Sequence, residues 1–130
     1  MKILLPPKRL RMRIERILYA FYDAGGFLNL DFALGLLSDF YEIPLPEIDW
    51  VTEVDGGLSL AKTLTNGHIM LIVPGKGWER HAYHESISPR DAWVHTLLHE
   101  WWHYMVWVNE EEKADEFAHK MLSLRKGEQL

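Results

Sequence analysis

The sequence predicts an α+β domain with about four helices and a small antiparallel or mixed sheet. Three observations carry this. Apolar residues recur at helical spacing in four separate stretches, short alternating segments flank an Asn-Gly turn, and 130 residues hold one hydrophobic core but not two. The composition, 48% hydrophobic and 25% charged, is ordinary for a globular chain. Residues 1–130 read as a single domain without repeats, linkers or low-complexity tracts.

The first helix is expected from Pro7 to about Ala24, with Leu10, Ile14, Ile17, Leu18 and Phe21 on its apolar face and Gly25-Gly26 as its stop. Asn29 is the expected N-cap of a second helix that turns Phe32, Ala33, Leu36, Leu37 and Phe40 inward. Pro44 and Pro46 end it, and residues 43–50 read as extended. A hairpin follows Gly56-Gly57, with Leu58, Leu60 and Leu64 alternating, a turn at Asn66-Gly67 and a strand from His68 to Val73. Residues 74–88 form a long loop carrying Trp78, Arg80, His81, Tyr83 and His84, long enough to be functional. Ser88-Pro89-Arg90-Asp91 is a strong helix start, with a capping hydroxyl, proline at the first helical position and a carboxylate three residues after the cap. That helix should run to about Val108 on Val94, Leu97, Leu98, Trp101, Met105 and Val106. Asn109 and Glu112 should cap a last one, with Phe117, Ala118, Met121 and Leu122 inward and Gly127 at its end.

Composition narrows the chemistry. With no cysteine, disulfides, thiol catalysis, iron–sulfur clusters and thiolate zinc sites are excluded, so a metal must be held by His, Asp or Glu. Seven His and six Trp are many for this length. The net charge of −5 is uneven: Lys2, Lys8, Arg9, Arg11, Arg13 and Arg16 stand near the start with only Glu15 among them, and the remainder is acidic. The cationic run reads as a solvated helix face, and the acidic remainder argues against a dedicated nucleic-acid binder. Ile3–Leu5 is too short for a signal segment, and no apolar stretch approaches the roughly 18 residues of a membrane span, so a soluble, cytoplasmic protein is expected.

The chemistry-bearing pattern is His99-Glu100-Trp101-Trp102-His103, an H-E-x-x-H motif inside the third helix. Residues four apart lie one turn apart on one helix face, so two imidazoles there can share one zinc ion at about 2.0–2.1 Å each. Glu100 is rotated by about 100°, free to reach a water beside the metal without ligating it. A third ligand from the acids that follow, Glu110, Glu111 or Glu112, would complete a His₂Glu set. The metzincin continuation is absent, since Val106 and Asn109 occupy its Gly and His positions. His119 is an alternative third ligand, and His95 lies one turn before His99, at the helix rim.

His99-Glu100-x-x-His103 followed by Glu111-x-x-Ala114-Asp115-x-Phe117-Ala118 resembles the ImmA/IrrE-type zinc metallopeptidases, which are gluzincins. Soluble minigluzincins and the catalytic domains of HtpX and CAAX prenyl proteases share the second element. The upstream order of elements is also similar, over roughly residues 14–125, although the specific motifs lie only in 99–118. The resemblance implies a zincin-like metallopeptidase fold and a zinc-dependent endopeptidase, with His99, His103 and Glu111 as zinc ligands, Glu100 as general base and Asp115 orienting a ligand imidazole. It also implies a peptide or protein substrate, often a transcription regulator. One departure is Trp102, where such proteins often carry a small residue; it should alter packing behind the helix and narrow the cleft.

In such an enzyme zinc lowers the pKa of water towards about 7 and polarises the scissile carbonyl, while Glu100 takes the proton and passes it to the leaving amine. A further donor should stabilise the oxyanion; Tyr83 and His84 are the expected ones, with Arg80, His81 and Tyr104 as others. The strand from His68 serves peptide addition if it is an edge strand and core packing if it is not. Trp93, Trp101, Trp102 and Trp107 read as packing residues that shape the cleft walls. Two other functions remain open at this point: a regulatory zinc-binding module without hydrolytic activity, and a SprT-like nucleic-acid-associated protease using the basic first helix.

Overall fold

The computed structural model describes residues 4–52, 54, 61–72 and 88–122. Its elements are α1 (Lys8–Ala24), α2 (Phe27–Tyr41), β1 (Glu47–Val51), β2 (Ala61–Thr63), β3 (His68–Ile72), α3 (Pro89–Val106) and α4 (Glu111–Met121). This is an α+β arrangement of four helices and a three-stranded mixed sheet. Among the described residues no helix is long and apolar enough to cross a membrane.

α1 and α2 form a helical hairpin turned by Gly25 and Gly26, whose φ angles of 77° and 89° favour residues without a Cβ. That turn overrides the expected cap. The chain re-enters a helix directly at Phe27, so Asn29 lies inside α2 and its side-chain amide donates back to the Gly25 carbonyl. The buried stripe of α2 is Leu30, Ala33, Leu34 and Leu37, whereas Phe32 is half exposed under the Arg13 guanidinium. α2 is apolar on nearly every side, so its period alone did not select the inward face. The cations Lys8, Arg9, Arg13 and Arg16 of α1 are exposed.

The sheet order is β1-β3-β2, with β3 parallel to β1 and antiparallel to β2. The β2–β3 hairpin turns at Asn66-Gly67 as expected, Gly67 taking a φ of 88°. β3 is therefore the central strand, and its peptide groups pair on both sides. It cannot accept an added peptide strand; β1 and β2 are the edge strands among the described residues.

α3 is the central helix. Ser88 caps it as expected, its hydroxyl accepting from the Asp91 amide at 3.0 Å, and Pro89 opens it. Trp93, Val94, Leu97, Leu98 and Trp101 are wholly buried, and each such aliphatic side chain contributes about 2–3 kcal/mol by burial. Trp93 packs on the Phe21 ring at 5.3 Å, and the Tyr19 hydroxyl donates to Asp91 at 2.6 Å, so α1 holds the start of α3. α4 packs along α3 through Ala114, Phe117, Ala118 and Met121, and Leu122 beyond it is buried as well. Glu110, not Asn109, stands at the N-cap of α4 and makes no capping hydrogen bond through its side chain. The expected strand at Leu58 and Leu60, the loop 74–87 and the stop at Gly127 lie outside the described residues.

Candidate metal centre

One stripe of α3 carries His95, His99 and His103 at successive turns, His99 buried and the other two half-buried. α4 lies against it with Glu111 and Asp115, also one turn apart. The two stripes interleave. Asp115 sits between His95 and His99, with Oδ1 3.4 Å from His95 Nε2 and 2.6 Å from His99 Nδ1. Glu111 sits between His99 and His103, with Oε2 2.9 Å from His99 Nε2 and Oε1 2.8 Å from His103 Nε2. Glu111 and Glu112 open α4, where a helix N-terminus favours negative charge.

His99 Nδ1 faces a carboxylate and His103 Nδ1 faces the Val108 carbonyl at 2.9 Å, groups that only accept. Each Nε2 faces a Glu111 oxygen in turn, so ligation of a metal there would require each ring's proton to sit on Nδ1. The two Nε2 atoms lie 3.1 Å apart, beside both oxygens of Glu111. In that tautomer the centre would gather acceptors alone, an arrangement that a cation satisfies. Ligands about 2.0–2.1 Å from a tetrahedral ion stand about 3.3–3.4 Å apart, within half an ångström of this spacing. His, His and carboxylate is also a donor set suited to zinc.

Glu100 stands beside this point without joining it. It is 8% exposed, and its Oε2 lies 3.7 Å from His99 Nε2. Its other oxygen, Oε1, is 2.8 Å from the Thr63 hydroxyl, which also lies 3.0 Å from the Glu100 carbonyl. No spacing in the sequence pointed to Thr63; only the packing of β2 on α3 brings it there. Burial holds His95 below the ordinary histidine value, an effect that Asp115 partly offsets.

The centre opens into a cleft of about 500 Å³. One wall is Ala61–Thr65 of β2 and the following turn. Glu100, His103, Trp107, Val108, Asn109 and Glu111 form the other. The structure brings His99, Glu100, His103, Glu111 and Asp115 together. Among the three candidate acids Glu111 is the one that reaches both imidazoles; Glu110 pairs with Lys113 instead. Glu111 occupies the place that His119 was an alternative for. Tyr83 and His84, the expected oxyanion donors, lie outside the described residues, as do Arg80 and His81. The Tyr104 hydroxyl donates to the Pro44 carbonyl at 2.5 Å and so is already committed. Of the four tryptophans expected at the cleft walls, only Trp107 lines the cleft. Trp93 and Trp101 are wholly buried, and Trp102 is 5% exposed with its ring edge-on to His103.

Compared with family models, with curated proteins and with solved structures, the chain finds no match.

Proposed function

We propose that this chain is a zinc-dependent endopeptidase of zincin-like fold, with His99, His103 and Glu111 holding the metal and Glu100 as general base. The observation that carries the reading is the convergence of two imidazole nitrogens and a carboxylate on one point, with a second carboxylate poised beside it. A purely structural imidazole pair does not need both outer nitrogens tied to acceptors and both inner nitrogens turned to one shared carboxylate. Bound zinc would supply a Lewis acid that acidifies water and polarises a peptide carbonyl.

The chain's own groups supply the rest. Asp115 and the Val108 carbonyl keep the imidazoles in the ligating tautomer. The Thr63 hydroxyl holds one oxygen of Glu100, leaving the other turned towards the centre to take a proton from water and return it to the leaving amine. The edge strand β2 forms a cleft wall, where an extended peptide can add antiparallel or parallel and bring its carbonyl to the centre. The motif resemblance to ImmA/IrrE-type metallopeptidases supports the same reading.

The deciding experiment pairs metal analysis with Glu100→Gln. One zinc per chain is expected in both proteins, with peptide cleavage in the parent and none in the variant. Normal cleavage by Glu100→Gln would falsify the assigned role of Glu100. Zinc binding with inertness towards general and partner-derived peptides would favour a regulatory module.

A further inference from the structure

α3 ends at Trp107, which caps it in the left-handed conformation with a φ of 61° and a ψ of 31°. That conformation is costly for a bulky side chain and easy for glycine. The backbone turn itself has a use: it ends the helix right after the ligand turn and brings the Val108 carbonyl to His103 Nδ1. Glycine would make that turn without strain, so the indole is not explained by it. Nor is it explained by the core, since Trp107 is 57% exposed. Of the large apolar side chains that the described residues expose, only Trp107 and its neighbour Val108 line the cleft. The indole is held from behind. Its ring lies 6.2 Å from that of Tyr104, which is anchored through the Pro44 carbonyl. Residues of the edge strand β2 line the same cleft.

We infer that Trp107 and Val108 form a subsite that selects a bulky apolar side chain on an extended peptide bound along β2. This rests on the peptide reading of the cleft and adds the class of residue it prefers. A rigid aromatic platform that is already ordered loses little entropy when an apolar side chain covers it, and an aromatic side chain gains a ring contact as well.

The test uses the zinc-loaded full chain and a peptide library with Phe or Ala substituted at each position in turn. Two quantities are read: kcat/KM for cleavage by the parent, and Kd for binding to the Glu100→Gln protein. A preference for Phe over Ala of about tenfold or more is expected at one position. Trp107→Gly and Trp107→Ala should bring that ratio near one, in cleavage and in the Glu100→Gln background, with zinc content unchanged. Trp107→Phe should restore most of it. Because glycine adopts the cap conformation freely, Trp107→Gly should melt no lower than Trp107→Ala, which separates lost selection from lost folding. No preference in the parent, or an undiminished one in Trp107→Gly, overturns the subsite. Selective binding without cleavage removes the hydrolytic reading and leaves the subsite standing. Cleavage without selection does the reverse, and neither binding nor cleavage removes both.

Discussion

Among the described residues, histidine and carboxylate cluster at the α3–α4 corner and again on the sheet, and the two clusters differ in how many imidazoles converge. At the corner two imidazoles turn their Nε2 atoms towards one shared carboxylate, Glu111. On the sheet a single imidazole stands between two carboxylates: His68 Nδ1 lies 2.8 Å from Asp49 and Nε2 3.1 Å from Glu47, across the β1–β3 pairing. Its pKa is raised, chiefly by the hydrogen bond to Asp49, against an opposing effect of burial and with lesser help from the charges of Asp49 and Glu47. The sheet cluster is satisfied when His68 takes a second proton. The helical cluster sets two ring nitrogens 3.1 Å apart beside one carboxylate, the arrangement the proposed metal would use. Residue type is shared; what separates the two is the second imidazole that joins the helical carboxylate.

The largest expected break is His103→Ala, which removes a ligand and should weaken zinc binding by more than about 100-fold, beyond the cost of losing an outer partner. The same substitution at His68 should leave zinc stoichiometry and affinity unchanged; equal losses at both would erase the distinction. Next is Asp115→Ala. It keeps every ligand but frees the His99 ring, and competition with a chelator should show a loss of about 10- to 100-fold. Thr63→Val preserves shape and removes the hydroxyl from Glu100. A fall in kcat of about tenfold is expected, with zinc affinity intact, because a hydrogen bond to a charged group is worth about 1.5–3 kcal/mol. The smallest effect is on pH-dependent stability. Since folding raises the His68 pKa, the pairing stabilises fully below the ordinary value of about 6.5 and fades as pH climbs through the raised one. Denaturation of parent and His68→Gln should therefore differ in mild acid and converge in mild base, with or without zinc. Glu47 is exposed and His68 and Asp49 are half-buried, so solvent screens the pairing and the difference is small.

Much of this was legible in the chain. Ser88-Pro89 announced α3, Asn66-Gly67 announced the hairpin, and the H-E-x-x-H spacing placed two imidazoles on one turn. Glu111 was preferred among three neighbouring acids only by resemblance, because all three suit a helix start equally. What chose it in space was the angle at which α4 lies on α3. Other features were hidden for physical reasons. Asn29 has the chemistry of a cap, but two consecutive glycines at positive φ let the helix begin earlier. The inward face of α2 was ambiguous because its apolar residues nearly encircle it. The edge position of β2 and the contact from Thr63 to Glu100 depend on strand order, which local patterns do not encode. Nothing in the spacing distinguished Trp107 from its buried neighbours, since its exposure follows from a left-handed turn that the sequence does not signal.

The α3–α4 corner draws its contacts from one helical hairpin, the longest bridging 20 residues, from Asp115 to His95. Glu100 is held instead by Thr63, 37 positions upstream on a different element. Short loops close at little entropic cost, and distant ones need the whole fold in place. If the corner holds the proposed ion, capture and readiness for proton transfer would be separable stages of maturation, and a full metal complement would certify that hairpin alone and not a working cleft.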